Sequence, residues 1–436
     1  MDGLTELPVR LLTAAVQLLI NPFYYVGIVL VVLQYRRQIK LERRLFSVRL
    51  HSLLGETGRA ALWGAAGGIA ASLSFALLGV SIAQETIWLL WGVSIVLMLF
   101  RVRYMCMAYS AGIIGMLGAV ARLLPVSVPG GELGAVVDAL RQTDAAMLLA
   151  IVGVLHVFEA ALIRTQGTRM ATPMFYEGKR GKIIGGYQLQ GFWPVPLLLI
   201  VPAAGGSTAA LPWTTLFDGG WALGWSVIAL PFMIGFTELT VSALPQNKVR
   251  RSSVWLVGYG VAVLLLAVAV HYWSPLAFFA SLLTIALHEA LIAYSRWIEE
   301  KQSPFYVHSD KGLRVLAVIP NSTAAELGIA PGEIIHKVNG MPVRRRADLH
   351  QALQLNAAFS KLEVINLQGE LKFVSRPLYA GDHHQLGLIL APDEQAMYYI
   401  ETKEPSLIGM IGRGIAGLVR NPASVLPEAD STKDLS

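Results

Sequence analysis

A single cysteine, Cys106, stands among 436 residues, so no disulfide can form within the chain and no covalent staple orders the fold. Charge is scarce as well. Asp, Glu, Lys and Arg make up 15% of the residues against 54% hydrophobic ones, and the mean hydropathy is +0.54. Soluble domains carry about a quarter charged residues, so this composition excludes a wholly water-soluble protein and points to a membrane one. Signatures of catalysis are missing too. A zinc peptidase needs His-Glu-x-x-His on a helix, so that both imidazoles face one metal and the glutamate activates water. His288-Glu289 begins such a motif, but the position that should hold the second histidine is Ile292. Pairing His156 with Glu159 does not repair it, no Asn-Pro-Asp-Gly-like segment supplies a third ligand, and no soluble stretch outside the C-terminal module is long enough for a serine-protease domain. The chain therefore reads as non-enzymatic, with no catalytic residue, no metal ligand and no cofactor.

Long apolar runs are abundant, and about 20 such residues cross a bilayer core. Nine spans are predicted, at 12–34, 60–82, 86–100, 104–123, 145–163, 191–204, 221–243, 253–272 and 275–294. The first lacks a small-residue cleavage site and reads as an anchor. The run 191–204 carries Pro194, Pro196 and Pro202, so a re-entrant piece is the alternative to a crossing there. Basic residues gather in alternate connections: Arg36 to Arg59, Arg101 and Arg103, Arg164 to Lys182, and Lys248 to Arg251. The intervening connections are nearly free of them. By the positive-inside rule the basic loops and the C-terminal region face the cytoplasm. These charges flank spans instead of covering one soluble face, which argues against nucleic acid as a partner.

Within the spans, Gly64, Gly67, Gly68 and Ala71, and again Gly112, Gly115 and Gly118, let helix backbones approach closely. Packing within the chain is the expectation, with a homo-oligomer face as the alternative. Glu159, Glu238 and Glu289 lie in apolar runs, where pairing with His156, His288 or nearby arginines is expected over an ion path. A faint echo links Leu155-His156 through Arg164 with Leu287-His288 through Arg296.

The stretch 304–396 has a different character. From Gly312 to Gly340 it reads as a strand, then Pro-Asn-Ser-Thr-Ala-Ala-Glu-Leu-Gly, then Pro-Gly-Glu-Ile-Ile and a strand ending in Asn-Gly. This pattern resembles a PDZ domain, a small, mainly β, α/β module that binds peptides by adding them as a strand. Such domains hold the peptide carboxylate with backbone amides of an x-Φ-Gly-Φ loop. No such loop precedes Gly312, but Gln385-Leu386-Gly387-Leu388 follows the last strands, in the circularly permuted order common in bacterial PDZ domains. Gln385, Leu386, Gly387 and Leu388 are the candidate cradle, Ile389 and Leu390 the docking edge, and Leu349 and Leu353 the helical wall of the groove. Beyond it come a short amphipathic apolar segment, 405–420, and a tail of disordered composition, 421–436.

The expected fold class is thus a polytopic α-helical membrane protein, residues 1–300, with a C-terminal PDZ-like domain. The layout as a whole resembles one family. Asn-Pro-Phe-Tyr-Tyr at 21–25 is followed by the basic run 35–44, further spans, His-Glu-Ala in the last span and the PDZ-like module. This is similar to the MinJ-type cell-division topology proteins of Gram-positive bacteria. The resemblance implies a membrane adaptor at division septa and poles, linking a DivIVA-like polar scaffold to a MinD-like division inhibitor. A regulatory partner of a membrane protease and a transporter are the alternatives.

Overall fold

The computed structural model describes residues 2–393, except 125–129, 179–180, 209–212, 218–223, 357–358 and 378–385. The segments 405–420 and 421–436 lie outside the described residues. The chain opens with α1 (Asp2–Ile20) and α2 (Pro22–Phe46), one predicted span that the structure divides at a 55° bend. Pro22 lacks an amide to continue the helix, and the Asn21 side chain accepts from Phe23 N at 3.0 Å, which starts a new one. Then follow α3 (Leu53–Leu78), α4 (Gln84–Phe100), α5 (Met107–Leu123), the short α6 (Glu132–Gln142) and α7 (Ala145–Gln166). After a sheet come α8 (Pro245–Tyr272) and α9 (Ala277–Lys301). Helices α3, α7, α8 and α9 are long and apolar enough to cross a membrane, and α4 and α5 are shorter apolar helices. Helix α7 is central and buried from Ala145 to His156. Around it Leu62, Ile69, Leu265 and Phe279 point outwards and are exposed. An apolar exterior around buried polar groups is the arrangement a lipid solvent selects.

Two predicted spans, 191–204 and 221–243, are corrected by the structure: they are strands. An antiparallel sheet, ordered β1 (Ala171–Glu177), β2 (Ile183–Ser207) and β3 (Trp225–Thr240), replaces them. Proline explains the outcome. Pro194, Pro196, Pro202 and Pro231 would each cost a helix one hydrogen bond and a clash. In the hairpin Pro196 stands opposite Pro231. Two prolines can share a pair only where the amides face away from the partner strand, so Pro194, Pro196 and Pro202 strip donors from the outer edge of β2. Leu198 keeps an outward amide, and it donates to Ser72 Oγ of α3 at 2.8 Å. Helix α3 lies along this edge. A Cβ on Gly64 would overlap the carbonyl of Pro194, and one on Gly68 the carbonyl of Pro196. Four helical residues advance about 6.0 Å and two strand residues about 6.7 Å, so Gly64, Gly68 and Ser72 stay in step with Pro194, Pro196 and Leu198. Glycines Gly112 and Gly115 likewise admit Ser281 of α9. The small-residue stripes therefore serve packing within the chain.

Several charged groups inside the helical unit are paired. Glu289 meets Arg103 at 3.2 Å and the Tyr109 hydroxyl at 2.8 Å. Lys248, 1% exposed, bridges Glu238 at 3.4 Å and Glu299 at 3.3 Å and donates to Ser295 Oγ. Structural pairing thus accounts for both: Glu289 takes an arginine, as the sequence reading expects, whereas Glu238 takes Lys248 in place of a histidine or arginine. At the α2–α3 connection, Glu42 is wholly buried. It accepts from Leu50 N and His51 N and contacts His51 Nδ1 at 2.5 Å, while His51 Nε2 meets the carbonyl of Arg169 at 3.0 Å.

Lys248→Met leaves two buried carboxylates without their shared cation, so the protein should lose about 3–5 kcal/mol of stability, read as a lower melting temperature in detergent. His51 makes a pH prediction. Burial opposes its protonation, but Glu42 and the Arg169 carbonyl outweigh it and raise the imidazole above its ordinary value. A raised value means the contribution is complete below the ordinary histidine range and lost as pH climbs through the raised one. Melting curves of the intact protein should fall as pH rises through that raised value, and His51→Gln should flatten the slope.

A candidate peptide-binding groove

The C-terminal module forms because its strand signals are punctuated by residues that tolerate left-handed backbone. Strand β4 (Leu313–Val318) ends in a turn through Asn321, and the one-turn helix α10 (Thr323–Glu326) is capped by Ser322. Strand β5 (Ile334–Val338) turns at Asn339-Gly340, both with positive φ, into β6 (Met341–Pro342). Helix α11 (Arg346–Gln354) follows, its first turn fixed by Asp348, which accepts from the amides of Arg344 and Arg345. Those two amides hold the Asp348 carboxyl below its usual range. Strands β7 (Phe359–Ile365), β8 (Leu371–Pro377) and β9 (Leu388–Leu390) complete a sheet ordered β8-β7-β5-β4-β9, with β6 beside β5.

Among the described residues strand β9 lies at the edge of the sheet, antiparallel to β4, with Leu388 beside Val318 and Ile389 beside Ala317. Leu388, Ile389 and Leu390, the expected docking edge, make up this strand, and all three side chains are buried. Leu386 and Gly387 precede it with φ of 57° and 80°. The Leu386 carbonyl accepts from Ala324 N at 2.8 Å and the Gly387 carbonyl from Ile319 N at 2.9 Å. In a trans peptide the amide points opposite to the carbonyl. The amides of Gly387 and Leu388 therefore both turn away from α10 and β4, the disposition a carboxylate cradle needs. Glycine is required here twice over, since a Cβ on Gly387 would overlap Ser322. Gln385, with neighbouring His383 and His384, lies outside the described residues.

The helical wall differs from the sequence reading. Leu349 and Leu353 are 1% and 7% exposed and share one buried cluster with Leu386, Leu388 and Leu390. They are core residues, turned inwards because the apolar stripe of a nine-residue helix has only the sheet to cover it. The outward face of α11 carries His350, Gln351 and Gln354 instead. Near the end of β9, His308 contacts Asp393 at 3.1 Å and accepts from Arg314 N. Burial holds the His308 imidazole below its ordinary value despite that carboxylate.

The module is fastened to the helical unit through their two sheets. Tyr187 of β2 donates to the carbonyl of Leu316, Gly185 N donates to Tyr306 O at 3.1 Å, and Phe305 N to Val241 O at 2.8 Å. Tyr187, Tyr306, Leu316, Ala317 and Ile389 form a buried cluster across the junction, flanked by Phe46, Leu50 and Phe175.

Residues 314–366 match the family described as PDZ domain. The C-terminal module is a PDZ domain. Over 246 residues the chain is 34% identical to the Cell division topological determinant MinJ of Bacillus subtilis (strain 168), an alignment covering 56% of this chain and 61% of that one. It is 25% identical over 258 residues to the Lacticaseibacillus paracasei protein also named as a MinJ determinant, covering 59% and 69%. The chain is a homologue of these MinJ proteins. The alignment spans about three fifths of the Bacillus subtilis relative. A shorter match, 33% over 67 residues and 15% of this chain, is to a Synechocystis protein named as a serine protease, HhoB. No solved structure matches. The relatives aligned over more than half of this chain are thus named for division topology and not for an enzymatic activity.

Gly387→Val forces a β-branched residue into a left-handed turn against Ser322 and should cost the PDZ domain about 1–3 kcal/mol. Limited proteolysis of the full-length protein should cut the variant faster within 304–393 and leave the helical unit intact.

Proposed function

We propose that this chain is a multi-pass membrane scaffold of division-site selection, whose cytoplasmic PDZ domain recruits partner proteins by strand addition at β9. The observation that carries the reading is the junction between the two sheets. Tyr187, Tyr306, Leu316 and Ile389 seat the PDZ domain on the apolar unit, so that a peptide edge is held in a fixed pose at the membrane surface. The basic connections cluster at the same end, in keeping with a cytoplasmic face. The names of the two relatives support a role in division topology. The resemblance extends the reading to a bridge between a DivIVA-like scaffold and a MinD-like inhibitor. Leu386 to Leu390 would bind through their backbone, with Gln385 completing the cradle.

Localisation of a fluorescent fusion in dividing cells tests this, with the intact chain beside a truncation ending near Lys301. The expected result is enrichment of the intact chain at septa and poles, with minicells or filaments when the gene is deleted. Recruitment of the inhibitor should be lost in the truncation. A uniform membrane signal and normal division on deletion would sink the proposal.

A further inference from the structure

The fold brings together three side chains that the sequence reading leaves unconnected and that the function above does not use. Cys106 precedes α5, His156 lies in the middle of α7 and His288 in α9. Their ligand atoms all fall within 4.8 Å of one another. Cys106 Sγ is 3.3 Å from His156 Nε2 and 3.5 Å from His288 Nε2. Zn–S and Zn–N bonds of about 2.3 and 2.0 Å place the sulfur and nitrogen ligands of one tetrahedral ion about 3.5 Å apart. The histidines are 2% and 9% exposed.

The surrounding hydrogen bonds set the tautomers. His156 Nδ1 is 2.7 Å from the carbonyl of Val152, which can only accept, so Nδ1 carries the proton. The Tyr109 hydroxyl donates to Glu289 at 2.8 Å, so it accepts from His288 Nδ1 at 3.2 Å. Both Nε2 atoms therefore aim lone pairs at one sulfur. A thiol has a single proton and satisfies one of them, leaving the other facing sulfur lone pairs in a nearly dry site. A cation satisfies both and takes the sulfur as thiolate. Imidazoles fixed by a carbonyl and by a tyrosine–carboxylate pair are the outer arrangement of metal-binding histidines.

We propose that Cys106, His156 and His288 bind one zinc ion, with the Glu159 carboxylate, 3.9 Å from His156 Nε2, swinging in as the fourth ligand. Charge selects the metal. Zn²⁺ with one thiolate and one carboxylate is neutral, whereas Cu⁺ with the same donors leaves a net negative charge away from water. Neighbouring Glu289 is already neutralised by Arg103. Tyr259 of α8 closes the site, its ring 4.9 Å from that of His156 and 5.4 Å from that of His288. Four protein ligands make the site structural, pinning α5, α7 and α9 together. The thiol proton leaves on binding.

Elemental analysis of the full-length protein, purified in detergent without chelator, should find about one zinc per chain. Cys106→Ser and His288→Gln should abolish it, His271→Gln should retain it, and Tyr109→Phe should weaken zinc about 10–100-fold. Should Cys106→Ser fail to fold, the native protein still decides. Alkylation of Cys106, the single cysteine, should be blocked with zinc and restored by a chelator, and cobalt exchange should give a thiolate charge-transfer band. Zinc at background, zinc unchanged in both ligand variants, alkylation indifferent to chelator, or stoichiometric copper in its place would each overturn the assignment.

Discussion

Backbone amides in apolar surroundings have no water to turn to, and the hairpin of β2 and β3 meets that constraint most sharply. A helix satisfies itself, but a strand edge does not. Here the edge is disarmed partly by composition, through prolines that have no amide to leave open, and partly by a neighbour, through Ser72. Glycines at 64 and 68 let α3 come close enough for that serine to reach Leu198. The position of α3 and the route of the chain between α7 and α8 follow from covering this edge.

The same sheet then serves a second purpose. Its far end, at Gly185 and Tyr187, leaves the helical bundle and receives the PDZ domain. The strand that offers a peptide edge, β9, buries Ile389 in this junction. The PDZ domain and the apolar unit therefore share a buried cluster through Ile389 and Tyr187. Under the proposed function, a partner bound at β9 would be felt in the membrane half through that cluster. Lys248 and Glu299 reinforce the region by tying β3 and the residues after it to α8 and α9.

Much of this was legible in the residues. The PDZ-like module and its loop at Leu386-Gly387 are expected from the resemblance, and the structure gives those two residues left-handed backbone just before the short strand β9. That Glu238 and Glu289 are paired is likewise expected, because unpaired charge is too costly in oil, though Lys248 as the partner of Glu238 is not. The sequence reads 191–204 and 221–243 as spans where the structure has β2 and β3, because apolar content resembles a crossing whichever backbone carries it. The prolines were the clue, and the re-entrant alternative at 191–204 lay nearer the outcome. Leu349 and Leu353 were assigned to an open groove because spacing alone places them on one helix face. Which face the sheet covers is a matter of packing.

The sequence by itself determined the two-part organisation and the left-handed turn that glycine permits at 386–387. Each of these is a local property of composition or left-handed turns. Only the tertiary structure decided that the prolines face outward against α3, that the PDZ sheet abuts β2, and that Cys106, His156 and His288 meet. The two histidines even sit at matching places in the echo of α7 and α9. Residues 106, 156 and 288 are nonetheless far apart along the chain, and close packing of three helices is what converges them.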